Sequence, residues 1–317
     1  MTVLVVVEGT DKGLSEASRR AVGAAGTLGP ALLLTAGVDC RAAAEQGAVL
    51  SGVAEVLLAD HPCLPGAPEN LAPLLANLAP ACSHVLAPAD AFGATLIPFL
   101  GALLGVGPVT ETTAFLGDGV FERPCHAARL VARVRVLGRL ALLTVRPSAF
   151  SPAPPRRDGP PAPIRPLPGI RDHGLCRRLR PAQPLGERPD LESARIAVVG
   201  GRGLEEAGSF ALMEALAHRL NAAVGASRGA VDAELASADL QVGQTGRIIA
   251  PDLYLGVGVS GSLQHVAGIK EARVIAAINK DPAAPLLAMA DVAWVADLRQ
   301  AVPELLRALQ NAADASP

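Results

Sequence analysis

The sequence predicts an α/β protein made of an N-terminal α/β domain with a doubly wound sheet and a second doubly wound domain. Three observations carry this. Apolar, β-branched runs alternate with helix-length segments through residues 1–109, the pattern of parallel strands joined by crossover helices. The same alternation resumes after Leu191. Between them, residues 151–190 are dense in proline and arginine and read as a semi-rigid linker. The expected boundaries are therefore 1–150, 151–190 and 191–317, in keeping with a length of 317 residues.

Each element has its own signal. "VLVVVE" is a continuous apolar run suited to a strand buried on both faces. A helix follows from about Leu14, then strands at "ALLLTAG", "VAEVLLAD" and "HVLAPAD", with helices over Ala67–Leu78 and Ala91–Leu104. The uncharged stretch Ala91–Thr110 has the length of a membrane span, but Pro98 and the closing "GVGP" mark a core helix that stops near Gly105. "TTAFLGDGVFER" predicts a hairpin about Gly117, Asp118 and Gly119, and "RLVARVRV" and "RLALLTVRP" predict two further strands. In the second domain, "RIAVVG", "LYLGVGV", "RVIAAIN" and "VAWVAD" are strands. "EEAGSFALMEALAHRLNA", "SLQHVAGIKEA", "APLLAMA" and "LRQAVPELLRALQNA" are helices. The arginines of the 151–190 stretch admit a second reading, a strap that docks on an acidic partner surface.

Composition narrows the function. A net charge of −2 and only 3% aromatic residues remove the electrostatic and stacking grounds for nucleic-acid binding. The five cysteines, Cys40, Cys63, Cys82, Cys125 and Cys176, form no C-x-x-C pair, so a zinc knuckle or disulfide framework is not expected and no metal is predicted. Reduced thiols in a bacterial cytoplasm are the expectation, since "MTVLVVVEG" already reads as a strand rather than a leader. The chain shows no nucleophile elbow, P-loop or paired-carboxylate cleft. No catalytic residue is therefore predicted.

One motif points to chemistry. Gly256, Gly258 and Gly261 spell G-x-G-x-x-G where a strand passes into a helix. A helix beginning near Ser262 would aim unpaired backbone N–H groups and its positive dipole end at the turn, a place for a pyrophosphate. Asn279 and Asp281 follow the next strand, roughly where a ribose-binding side chain is expected. These features support nucleotide binding and leave the nucleotide open. A flavin carrier, an NAD-dependent oxidoreductase and a redox-inactive nucleotide-binding subunit all remain, and the visible absorbance of bound flavin separates the first from the others.

Longer segments distinguish them further. "VGGRGL" at 199–204, "AAVGASRGAVDA" at 222–233 and "QVGQTGRIIAPDLYLGVGVSGSLQHVAGIK" at 241–270 occur in order, followed by "AINKDPAAPL" at 277–286 and "VADL" at 295–298. Together they closely resemble the C-terminal domain of the electron transfer flavoprotein alpha subunits, and the N-terminal domain resembles that family less specifically, through Arg123-Pro124 among others. The resemblance implies a deoxyhypusine-synthase-like domain that binds FAD. It implies a heterodimer with a beta subunit that itself holds AMP or a second flavin. It also implies electrons taken from flavin dehydrogenases, such as the acyl-CoA dehydrogenases of fatty acid oxidation, and passed to a membrane quinone oxidoreductase.

The same resemblance carries roles to individual residues. Arg228 matches an arginine beside the flavin ring, where a guanidinium would favour the reduced, negatively charged forms. His265 matches a histidine near the flavin C2 carbonyl, where its charge could tune potential. Gln244 and Thr245 match ring contacts, the threonine near N5, on a loop that also includes Gln241, Val242 and Gly243. Ser227 and Ser260 match phosphate or ribityl contacts, and Gly261, Ser262, Leu263 and Gln264 complete that turn. Arg202 matches a phosphate-side arginine; Asn279 and Asp297, with Leu298 beside it, match adenosine-side contacts. Turn chemistry at Gly243–Gly246 and helix capping at Ser260 are the plain structural alternatives. The chain departs from the family pattern at Val199, where serine is usual, at Ala127-Ala128-Arg129, and at Phe99.

Overall fold

A computed structural model describes residues 2–126, 128–176, 189–191, 194–204 and 209–314, with side chains described as far as residue 311. It divides into two compact units, residues 1–182 and 183–317. Ala127, most of the second half of the Pro/Arg-rich stretch and the start of the "EEAGSF" segment lie outside the described residues.

Unit 1 runs β1 (Val3–Thr10), β2 (Gly13–Leu14), α1 (Glu16–Gly26), β3 (Ala31–Gly37), α2 (Arg41–Ala48), β4 (Val53–Asp60), α3 (Pro68–Leu78), β5 (His84–Pro88) and α4 (Ala91–Leu104). It continues with β6 (Val109–Thr112), β7 (Ala114–Gly117), β8 (Val120–Cys125), β9 (Leu130–Arg135), β10 (Ala141–Val145) and β11 (Ile164–Pro166). The main sheet has the order β11-β4-β3-β1-β5-β10-β6 with every neighbour parallel, and β2 folds back antiparallel on β1. The unbroken apolar run of β1 has a direct cause. Val3, Val5 and Val7 enter the core shared with α1 and α2, while Leu4 and Val6 enter the core on the opposite face with α3 and α4. α4 is the expected core helix. Asp90 caps it by accepting the Gly93 amide at 2.9 Å, and Gly105 ends it in the left-handed conformation at φ 65°. No helix among the described residues is long and apolar enough to cross a membrane. The hairpin expected at Gly117–Gly119 is β7–β8, and β9 extends it to a three-stranded antiparallel sheet.

The stretch expected to be a linker is, up to residue 176, part of unit 1. The Ala153 amide donates to the Arg19 carbonyl, Ser51 to Pro154, Arg156 to Val49, and Ala162 to Ala48, all within 3.0 Å. β11 then pairs with β4 from Ile164 to Pro166, and Arg165 meets Glu55 at 2.9 Å. Ala153 and Ala162 are buried. Proline suits this position, because a strand on the sheet edge loses no ladder bond where its nitrogen faces outward.

Unit 2 runs β12 (Ile196–Gly200), α5 (Ser209–Arg219), β13 (Ala223–Ala226), α6 (Arg228–Asp232), β14 (Leu253–Val257), α7 (Leu263–Val266), β15 (Val274–Asn279), α8 (Pro285–Met289), β16 (Val292–Val295) and α9 (Leu298–Asp314). Its sheet is parallel throughout, in the order β13-β12-β14-β15-β16. Val199, Tyr254 and Ala277 face α8 through Leu286 and Leu287. On the other face Val198, Val257 and Ile278 meet Met213 and Leu216 of α5 and Ala301 and Val302 of α9. Both faces are covered, so the sheet is doubly wound. Val199, where the family pattern has serine, is fully buried. The helix expected over residues 262–272 is only one turn long, α7, and the chain then continues in turns. Gly268 explains the stop in part. A Cβ there would lie 2.5 Å from the Gly243 Cα, so this segment is shaped by close backbone packing rather than by helix propensity.

Candidate nucleotide site at the strand ends of unit 2

A parallel sheet ordered β13-β12-β14-β15-β16 reverses its winding between β12 and β14, and ligands bind open sheets in the crevice beyond the carboxyl ends at such a point. The predicted residues gather on that edge. Arg202 lies in a short 3-10 turn after β12, Ser227 and Arg228 follow β13, and Gly258–Ser262 follow β14. Asn279 ends β15, and Asp297 and Leu298 follow β16. The Gln241–Thr245 loop is drawn to the same edge by the Val242 amide, which donates to the Ala226 carbonyl at 2.8 Å.

The turn after β14 is shaped by its glycines. Gly258 and Gly261 adopt φ of 64° and 83°, in the left-handed region that side chains disfavour. α7 follows directly. Ser262 occupies its N-cap without a side-chain hydrogen bond, so the amides of the first turn receive no side-chain cap. Ser260 does not cap either; its carbonyl accepts the Leu286 amide at 3.1 Å, and its residue is exposed. Ser227 behaves differently, since its Oγ accepts the Ala230 amide at 3.3 Å and caps α6.

Other side chains at the edge hold one another. Asn279 donates through Nδ2 to the Val259 carbonyl at 2.9 Å and accepts the Asp281 amide at 3.0 Å, tying the glycine turn to the end of β15. Asp297 accepts the Arg299 amide at 2.9 Å and pairs with its guanidinium at 2.9 Å. The Arg299 hydrogen bonds hold the Asp297 carboxyl well down, at about 2. Gln241 donates to the Thr245 hydroxyl at 3.0 Å across a loop whose Val242 and Gly243 are buried. The Gln244 amide donates to the Gln264 carbonyl at 2.8 Å, and a Cβ on Gly243 would lie 3.1 Å from that oxygen. Leu263 and Gln264 are exposed, and Leu298 is buried against α5. Arg228 begins α6 with its side chain 69% exposed and reaches Asp232 at only 3.5 Å, a solvated pair that holds it weakly.

Comparison with known proteins identifies the architecture. Residues 3–166 match the electron transfer flavoprotein domain, and residues 190–270 match the electron transfer flavoprotein FAD-binding domain. The chain is similar to the electron transfer flavoprotein subunit alpha of Pseudomonas aeruginosa, at 41% identity over 98% of this chain and 100% of the relative. It is similar to that of Paracoccus denitrificans at 42% identity, over 96% of this chain and 99% of the relative.

The chain belongs to the electron transfer flavoprotein alpha subunits.

Unit 2 thus contains the family's FAD-binding domain. The residues present fit the cofactor. The first turn of α7, which has no side-chain cap, offers backbone donors to a pyrophosphate, and the exposed Ser260, Ser262 and Thr245 place hydroxyls on the same edge. The brevity of α7 shifts the burden from a helix dipole to individual N–H groups, because one turn carries little macrodipole.

One expectation is corrected. His265 was expected to act through its charge, yet it is only 4% exposed and burial pushes its pKa down to about 4, against the opposing pull of the Val242 carbonyl. It is neutral at pH 7, and both ring nitrogens are engaged inside the protein, with the Tyr254 hydroxyl at 2.7 Å and the Val242 carbonyl at 3.0 Å. Asp297, expected at the adenosine end, stands at that edge with its carboxylate bonded to Arg299 at the start of α9. Tyr254 is the residue that sequence reasoning passed over. Its one signal was to be the lone tyrosine of the chain, set in an aliphatic strand.

Proposed function

We propose that this chain is the FAD-holding half of a heterodimeric electron carrier, joined to a beta subunit that binds AMP or a second flavin. It would accept electrons from flavin dehydrogenases, acyl-CoA dehydrogenases among them, and deliver them to a quinone oxidoreductase at a membrane. The observation that carries this reading is the gathering of the predicted residues at the switch-point edge of unit 2, around a glycine turn whose following helix lacks a side-chain cap. All five cysteines are free thiols, in keeping with the cytoplasmic setting we propose.

When bound, the flavin supplies the redox chemistry, and the protein supplies binding, orientation and electrostatics. Backbone amides at the start of α7 would receive the pyrophosphate, with Arg202 and the hydroxyls of Ser227 and Ser260 on the same edge. Asn279 would keep the Val259 turn in shape for the adenosine end. The Gln241–Thr245 loop would orient the ring, and Arg228, permanently charged and free to swing from Asp232, would set negative charge at a favourable place. The test is co-expression with a beta chain. The purified complex should be yellow and release at least one FAD per alpha chain on denaturation. A colourless complex that retains only nicotinamide or adenine nucleotides would overturn the reading.

A further inference from the structure

A buried hydrogen-bonded relay lies directly beneath the candidate site. Tyr254, in β14, is fully buried. Its Oη lies 2.7 Å from His265 Nε2, and His265 Nδ1 lies 3.0 Å from the Val242 carbonyl. The proton positions follow from elementary chemistry. A carbonyl can only accept, so Nδ1 of the neutral ring carries the hydrogen and donates to Val242. Nε2 then presents a lone pair, and the tyrosine hydroxyl must donate to it. Burial pushes the tyrosine pKa far up, which keeps that proton in place. No other arrangement of a neutral imidazole satisfies both neighbours.

The relay joins three pieces of chain that meet at the cofactor edge. Tyr254 belongs to the central sheet, His265 to the single turn of α7, and Val242 to the Gln241–Thr245 loop. Backbone bonds run alongside it, from the Gln244 amide to the Gln264 carbonyl and from the Ile249 amide to the Gly268 carbonyl, each 2.8 Å. The first glycine of the motif is bound up with the same device. A Cβ on Gly256 would lie 3.0 Å from Tyr254 Cε1 and 3.1 Å from its Oη, and 2.7 Å from Leu286 Cδ2. Glycine at 256 therefore makes room for the tyrosine ring, whereas Gly258 and Gly261 shape the turn.

We propose that Tyr254 is a positioning residue for the flavin site: by donating its hydroxyl proton to His265 it locks the imidazole in the orientation that holds Val242, and so holds the Gln241–Thr245 loop against α7. This rests on the flavin reading given above. Tyr254 itself touches no cofactor; it acts through His265. The decisive variant is Tyr254→Phe, which keeps the packed ring and removes only the donor, leaving the buried Nε2 without a partner.

Three measurements on the full chain with its beta subunit test this. In the wild type, nitrogen NMR of labelled histidine should show His265 as the neutral Nδ1–H form. In Tyr254→Phe, the amides of Gly243 and Gln244 should exchange with solvent about tenfold faster while those of β12 and β15 keep their protection. The FAD dissociation constant of that variant should rise by about tenfold. A wild-type His265 found as the Nε2–H form overturns the proposal even if the variant fails to fold. So does a folded Tyr254→Phe whose loop exchange and FAD affinity equal those of wild type. A wild-type complex that binds no FAD refutes the flavin reading instead, while the tautomer and exchange measurements still judge the relay.

Discussion

Arg228 and His265 show how differently two polar residues at one edge can serve it. Arg228 is exposed and weakly held, so its guanidinium is available to a ligand that gains negative charge on reduction. Arg228→Ala should lower the flavin midpoint potential. A loss of about 1–2 kcal/mol of preferential stabilisation corresponds to roughly 40–85 mV per electron. FAD retention should change less, because the phosphate and adenosine contacts lie elsewhere. Spectroelectrochemical titration of both proteins in the flavin-loaded heterodimer decides it, and equal potentials would remove Arg228 from the ring. His265 acts as structure. Its pKa is pushed from 6.5 down to about 4 in the folded chain, so between those values the unfolded chain holds more protons. Stability from this residue is complete above about pH 6.5 and declines as the pH falls toward 4, by about 3 kcal/mol at most. The single tryptophan, Trp294, lies in β16 and reports unfolding of unit 2 by its fluorescence. Denaturation followed this way should lose stability over that window in the wild type, with a shallower loss in His265→Gln. Identical slopes would contradict the assignment.

Turns and edge strands do most of the work at the scale of the element. Asn279 joins the end of β15 to the glycine turn after β14 through the Val259 carbonyl. Asn279→Ala should cost about 1–3 kcal/mol and weaken FAD retention while barely moving the potential of the flavin that remains. Equilibrium dialysis of FAD against the variant provides the check, and an unchanged dissociation constant would contradict the role. In unit 1 the strap through residues 153–166 completes the sheet at β4 and covers an edge that would otherwise offer unpaired backbone groups. Ala162, within the strap, is buried. Ala162→Asp should therefore destabilise unit 1 by about 1–3 kcal/mol, because a carboxylate would be desolvated there. Urea unfolding with circular dichroism would show it as a lower midpoint, and an unaltered midpoint would mean that the strap is dispensable.

The whole molecule consists of two α/β units, of which the second carries the FAD-binding domain. The proposed reading makes this chain dependent on a beta subunit. Co-expression with a beta chain should give a 1:1 heterodimer that keeps its flavin through gel filtration. A monomer of this chain with full flavin content and full electron-transfer rate would disprove that requirement. Much of this scale was legible beforehand. The β-branched runs of β1 and β12 and the alternation around them announced parallel sheets, and the ordered motifs of residues 199–298 led to the family. The strap was not legible, because a Pro/Arg-rich composition describes an edge strand and a solvated linker equally well. Backbone partners on the rim of unit 1, among them the carbonyls of Ala48, Val49 and Leu58, distinguish the two.

The sequence by itself determined many of the strands and helices, though not α2, β6, β13 or α6, because alternation and glycine stops are local signals; Gly105 ending α4 is the clearest case. It also determined which residues stand at strand ends, and hence the candidate site. Tertiary structure alone decided how far α7 extends and the state of His265. Those outcomes depend on partners distant along the chain: Gly243 against Gly268, and Tyr254 and Val242 on either side of one imidazole. A histidine is a charge in water and a neutral link between two hydrogen bonds in a core, and only burial chooses between them.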